Sequence, residues 1–189
     1  MVNGVPSTGA VRGALVVMAL VVAVGVAGGI VLGWRLLDGI RHPAATPMSG
    51  QADAVVVFAG EERRFALGRD LVEAGQAPVL VLSAARLPAL VAGWCDEQPV
   101  DFEVVCVVPD PTSTSGEASA FAALASERGW GSLLGVTGDY HAQRAGLLLS
   151  RCFDGELSWA LVDWPTPSWS LTWSEGTKTA GDWLLSRSC

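Results

Sequence analysis

Gly135-Val136-Thr137-Gly138-Asp139-Tyr140-His141-Ala142-Gln143-Arg144-Ala145 decides how this chain is read, because an apolar strand there runs straight into a polar turn carrying a histidine and an arginine. On a helix beginning near Tyr140, the three-residue spacing puts His141 and Arg144 on one face. That face lies at the carboxyl end of a strand, where open α/β sheets gather their ligands, so both side chains are expected to be partly exposed there. His141 is one of two histidines in the chain, and the other, His42, lies just outside an apolar N-terminal run. The same spacing also fits a bland arrangement, with His141 at the helix start and Arg144 in a surface ion pair, so the residues alone leave both readings open.

Outward from this stretch, strand and helix patterns alternate. Continuous apolar runs at 54–59, 78–83, 103–108, 132–137 and 158–162 read as buried strands. Between them, helices are expected at 61–75, 86–93, 116–128 and 141–152, with a last one at 175–187. In the first of these, Phe65, Gly68, Leu71 and Val72 share a face. Near-continuous apolar strands separated by helices predict an α/β fold, a Rossmann-like, mostly parallel sheet flanked by helices on both faces.

The N-terminus reads differently. Gly13 to Trp34 is uncharged, with Arg12 before it and Arg35 after it. At 1.5 Å per residue it covers roughly 33 Å against a hydrocarbon core of about 30 Å, enough for one transmembrane helix. A cleavable signal peptide is the rival, since Gly25 and Ala27 are small residues at a plausible cleavage spacing. The apolar run continues past them to Trp34, an interfacial residue type, which favours an uncleaved anchor. The expected organisation is an N-terminal segment at 1–12, an anchor at 13–34, a linker at 35–52 and the α/β domain at 53–189. About 140 residues beyond the linker suffice for a single core. Arg12 and the terminal amine nearly balance Arg35 and Arg41, so the positive-inside rule does not orient the anchor.

Four cysteines, Cys95, Cys106, Cys152 and Cys189, form an even set without CxxC spacing. Two disulfides would suit an exported domain, while four buried thiols would suit any compartment. The pairs expected are Cys95–Cys106, closing a short loop before a strand, and Cys152–Cys189, tying the His141 helix to the chain end. The formal charge is −7 and the arginines are scattered singly, so no nucleic-acid partner is expected. Trp159, Trp164, Trp169, Trp173 and Trp183 crowd the C-terminal part. They fit either a tail packed back over the sheet by large rings or one lying near lipid headgroups.

The loops after the strands hold Gly60 with Arg63-Arg64, then Ser83, then Asp110 with Thr112-Ser113-Thr114-Ser115 and Glu117, and finally Thr137, Asp139, His141 and Arg144. Hydroxyls, helix-start amides and arginines converging on one crevice suit an anion such as phosphate or carboxylate. Part of the 112–117 segment is explained by a helix cap alone. A lone domain histidine without ligating cysteines argues against a zinc or iron site, and no GxSxG, GxxxxGK[ST] or GxGxxG motif is present, so neither metal nor cofactor is expected. His141 is the candidate acid or base, with Asp139 or Glu117 as a possible partner.

The segments Asp53 to Gly60, the helix with Arg64 ending at Ala74-Gly75, the strand ending at Ser83, Thr114-Ser115-Gly116-Glu117-Ala118 and Val136 to Ala145 together resemble the ElyC/SanA/YdcF-type domain. Membrane-anchored members of this bacterial group are tied to envelope biogenesis. The resemblance covers most of Asp53 to Asp154 and implies a Rossmann-like domain whose polar crevice holds Arg64, Thr114, Glu117, Thr137, His141 and Arg144. Two departures stand out: Gly138 replaces a usual Ser, and Ala59-Gly60-Glu61-Glu62 replaces a glycine-rich first loop. One soluble member type is associated with S-adenosylmethionine, whose binding this loop does not favour.

The expectation is therefore a single-pass plasma-membrane protein with an extracytoplasmic domain acting in cell-envelope or cell-wall metabolism. His141 would be its catalytic residue, and Arg64, Thr114, Glu117, Thr137 and Arg144 would bind an anionic small molecule or lipid-linked envelope precursor. The rivals are a non-catalytic envelope scaffold and a nucleoside-cofactor binder.

Overall fold

Buried apolar runs with no polar interruption suit the middle of a parallel sheet covered on both sides, and the three central strands lie there, with a less buried strand at each edge. The computed structural model of the protein describes residues 8–41, 46, 50–87, 89–96, 101–164 and 168–185. Five strands, β1 (Ala54–Val57), β2 (Val79–Ser83), β3 (Glu103–Val107), β4 (Ser132–Gly138) and β5 (Glu156–Val162), form one sheet in the order β3-β2-β1-β4-β5. Every pairing between them is parallel. The expected α/β, Rossmann-like class is thus the observed one.

The helices are α1 (Thr8–Arg41), α2 (Glu62–Glu73), α3 (Ala89–Ala92), α4 (Thr114–Arg128), α5 (Asp139–Cys152) and α6 (Trp169–Leu185). Alternation along β1 divides the core into two layers. Ala54 and Val56 join Phe121, Ala125, Leu148 and Leu149 from α4 and α5. Val55 and Val57 join Phe65 and Val72 from α2 on the other face. The Asp53 carboxylate pins the start of β1 beside β4, accepting hydrogen bonds from Gly131 N (2.8 Å), Ser132 N (2.9 Å) and Ser132 Oγ (2.9 Å).

The strand order decides where a ligand can sit. Chain connections leave β1 towards β2 on one side, while β4 flanks it on the other, so β1 and β4 bound the topological switch point. Helices on opposite faces diverge there, opening a crevice beyond the strands' carboxyl ends.

Several boundaries differ from those expected. The helix expected at 86–93 is instead a 3₁₀ turn at Ala84–Arg86, the four-residue α3 and a second 3₁₀ turn at Gly93–Cys95, consistent with Pro88 interrupting the run. The last helix begins at Trp169 rather than 175, with Ser168 Oγ accepting from Leu171 N at 3.3 Å. Its inward stripe is polar, made by Thr172, Glu175 and Thr179. Consequently Trp169, Trp173 and Trp183 on α6 are each more than half exposed. Packing of these three rings over the sheet is not what the structure shows, although Trp159 does pack against the core.

The chain forms two compact units, Met1–Asp38 and Gly39–Cys189. Arg12–Gly39, which makes up most of the first, is one apolar helix long enough to cross a membrane, about 42 Å at 1.5 Å per residue. It overruns the expected 13–34 at both ends, because Arg12, Arg35 and Asp38 are tolerated in a helix wherever water reaches them. In the expected linker, Thr46 makes an isolated antiparallel bridge to Trp159. Cys95 and Cys106 are joined by a disulfide, as expected, with their α-carbons 5.6 Å apart. The expected Cys152–Cys189 bridge involves Cys189, which lies outside the described residues, as does His42.

Candidate functional site

A cleft of about 370 Å³ opens over the switch point. The β1–α2 connection contributes Ala59 and Gly60, and α2 contributes Arg64. Thr112 and Ser113 precede α4, which adds Thr114 and Glu117. Tyr140, His141 and Arg144 come from α5, and Glu175 and Lys178 from α6. Ala85 and Arg86 complete the lining. Four cations thus face two carboxylates, which makes the cleft attractive to anions.

His141 sits at its centre and is buried rather than partly exposed. Its Nδ1 lies 3.2 Å from Glu175 Oε2 and its Nε2 lies 3.4 Å from Thr114 Oγ1. Burial, reinforced by the charges of Arg144 and Arg64, holds the imidazole pKa below its ordinary value against the opposing hydrogen bond to Glu175. For Glu175, burial alone would raise the pKa, but hydrogen bonds from His141 and Lys178 and the charge of Arg144 carry it well below the carboxylate range. An ionised carboxylate only accepts, so the proton of the neutral ring belongs on Nδ1 and Nε2 presents its lone pair. Arg144 Nη2, 3.3 Å from Nδ1, is then a charge beside the ring rather than a donor to it.

Arg144 also donates from Nε to Glu175 Oε2 at 3.0 Å, and Lys178 Nζ donates to Glu175 Oε1 at 2.9 Å. The surface ion pair allowed by the sequence is therefore a mostly buried one, to a residue on α6 that sequence reasoning did not place in the site. Neither Asp139 nor Glu117 partners His141 in this way. Asp139 accepts instead from Tyr140 N (2.6 Å) and Trp164 N (3.0 Å).

Arg64 is only 3% exposed. Its Nη1 donates to Ala59 O at 2.8 Å and its Nη2 to Tyr140 Oη at 2.7 Å, while its buried Nε has no partner. Among the described residues, no carboxylate forms an ion pair with it. Gly138 leaves room for this arrangement, since a Cβ there would stand 2.9 Å from Arg64 Nη2 and 3.0 Å from Tyr140 Cε1. Arg63 turns away, pairing with Glu61 and donating to Asp163 O.

Glu117 Oε1 accepts from Ala59 N at 2.7 Å. Burial raises its pKa, and bonds from Ser83 and Ala59 with the charges of Arg64 and Arg144 offset only part of that rise. At the start of α4, the cap is Ser113, whose Oγ accepts from Gly116 N at 3.2 Å. Thr114, the next residue, is left to face His141. Of the six site residues expected, Arg64, Thr114, Glu117, His141 and Arg144 meet in the cleft. Thr137 is fully buried at the end of β4 without a partner for its Oγ1, and it does not line the cleft. Glu175 and Lys178, three residues apart, carried only a weak sequence signal: polar residues at helical spacing in the first turn of the helix expected at 175–187.

A buried neutral imidazole fixed by a carboxylate, with its free nitrogen beside a hydroxyl and cations around it, can move a proton next to a bound anion. That chemistry is read from the geometry alone, since no family model matches this chain and neither curated proteins nor solved structures give a match.

Proposed function

We propose that the protein is a membrane-anchored envelope protein whose extracytoplasmic domain binds a phosphate-bearing or other anionic ligand, of the kind presented by lipid-linked envelope precursors, in the cleft over β1 and β4. The observation that carries this reading is Arg64. A guanidinium taken out of water without a carboxylate is costly by several kcal/mol, and a bound anion offsets that cost. Its unpartnered Nε supplies a donor not already used. Arg144 and Lys178 add charge, Thr114 adds a hydroxyl, and His141 is placed for proton transfer.

The apolar helix of Arg12–Gly39 supports attachment to a membrane. The Cys95–Cys106 disulfide supports a domain facing an oxidising compartment. The exposed indoles of α6 suit a place close to headgroups. A role in envelope metabolism accords with what the resemblance to the ElyC/SanA/YdcF-type domain implies.

The test is thermal unfolding of the full chain in detergent with inorganic phosphate, a polyprenyl phosphate or S-adenosylmethionine added. A ligand that binds the folded state raises the midpoint by mass action. Stabilisation by the two phosphates is expected. Stabilisation by S-adenosylmethionine alone would assign a nucleoside-cofactor binder, and a midpoint unmoved by all three would favour a scaffold.

A further inference from the structure

We propose that Thr114, His141 and Glu175 form a nucleophilic relay in which the Thr114 hydroxyl attacks the phosphorus of a phosphate ester or anhydride held in the cleft. The inference rests on the anion-binding reading above and adds a covalent step to it. Three helices supply the three groups: Thr114 opens α4, His141 lies in the first turn of α5 and Glu175 lies in the middle of α6. Oγ1 to Nε2 is 3.4 Å and Nδ1 to Oε2 is 3.2 Å, a nucleophile–base–orienter order in which the first contact is free to shorten when substrate binds.

Thr114 is available for this because the helix cap is made by Ser113. It is 8% exposed and lines the cleft, with its Oγ1 beside His141 Nε2. The preference for phosphorus over an acyl carbon comes from the surrounding cations. Arg64, Arg144 and Lys178 line the same cleft, where they can stabilise charge spread over the non-bridging oxygens of a transferring phosphoryl group.

The step balances without any further reagent. The Thr114 proton passes to His141 Nε2 as the Oγ1–P bond forms. The bond from phosphorus to the leaving oxygen breaks in line with it, and that oxygen departs with the electron pair and takes a proton from solvent while Nε2 keeps the Thr114 proton. Water then attacks phosphorus from the vacated face and returns a proton to solvent. The Oγ1–P bond breaks, phosphate leaves, and Thr114 recovers its proton from His141. Glu175 acts through His141 as a positioning residue, holding the Nδ1–H tautomer.

A fluorophosphonate reagent tests this directly, because it presents a phosphorus electrophile whose fluoride leaves regardless of the natural leaving group. With the full chain in detergent, peptide mapping should find the phosphonyl group on Thr114, and inorganic phosphate should slow the labelling. Thr114→Val should abolish it and Thr114→Ser should keep it. His141→Ala should slow it by about 100-fold or more. Glu175→Gln should slow it and move the midpoint of its pH profile downward, since Glu175 favours the protonated imidazole. Labelling absent or on another residue, while phosphate still stabilises the wild-type fold, would overturn the relay and leave anion binding standing. If phosphate neither slows labelling nor stabilises the fold, the anion-binding reading fails and the phosphoryl relay fails with it.

Discussion

Replacing Arg64 by methionine separates what this residue does for the fold from what it does for a ligand. Methionine keeps much of the length and removes the charge. Two hydrogen bonds, to Ala59 O and Tyr140 Oη, disappear and leave two half-buried acceptors on the cleft wall, a loss of about 1–3 kcal/mol. Against it stands the relief of several kcal/mol from no longer holding an unpaired cation out of water. The unliganded variant should therefore unfold within about 2 kcal/mol of the wild type, since the two terms are of similar size. Ligand response should change far more. At phosphate about 100 times above the dissociation constant, the wild-type fold gains about 2.7 kcal/mol. Loss of a charge-assisted bond at about 2 kcal/mol weakens binding roughly 30-fold and cuts that gain to about 0.9 kcal/mol. For a domain of this size the midpoint shift should fall from roughly 5–11 °C to roughly 2–4 °C, read by differential scanning calorimetry with and without phosphate. A variant that keeps the full phosphate-induced shift would refute the assignment of Arg64 to the anion.

Other outcomes follow from the same geometry. Changing Cys95 and Cys106 together to serine should cost about 2–3 kcal/mol, and a reducing agent should then cease to lower the stability of this loop. Below pH 6.5, an unfolded chain binds a proton that buried His141 resists, so stability should fall as pH falls, by up to about 1.4 kcal/mol per unit for this one group. His141→Gln should flatten that slope in denaturant titrations between pH 7 and 5. Glu117 acts in the opposite sense, because its raised pKa confers stability below the ordinary carboxylate value that is lost as pH rises. Glu117→Gln should accordingly steepen the acid-side fall in the same titrations. The full chain should stay in the membrane pellet through carbonate washing if the Arg12–Gly39 helix is an uncleaved anchor, and a mature form beginning near Gly28 would rule that out.

The sheet was legible because its central strands are buried on both faces, so hydrophobic runs such as Ala54–Val57 and Val79–Ser83 carry no competing pattern. The centre of the site was legible for a related reason: polar groups directly after such runs have no core to enter. What escaped was α6. Its buried stripe of Thr172, Glu175 and Thr179 inverts the usual rule, and its indoles face outward, so an apolar periodicity placed its start six residues late. Glu175 was hidden with it, because a carboxylate in a polar segment reads as solvated until its partners on α5 are known. Thr137 shows the converse. Its place at the end of β4 suggested the crevice, but the side chain is enclosed instead.

Trp159 has a consequence that reaches beyond β5. Its ring stacks on Phe58 at 6.0 Å, and Phe58 in turn meets Phe121 at 5.1 Å and the His141 imidazole at 6.4 Å. The indole fits only because Gly135 on the neighbouring strand has no side chain, as a Cβ there would stand 2.5 Å from the ring. Positions 135 and 159 are thus free to diverge only as a pair. A homologous chain with alanine or larger at 135 should carry a smaller residue at 159 and, with that ring gone, a different packing behind its histidine.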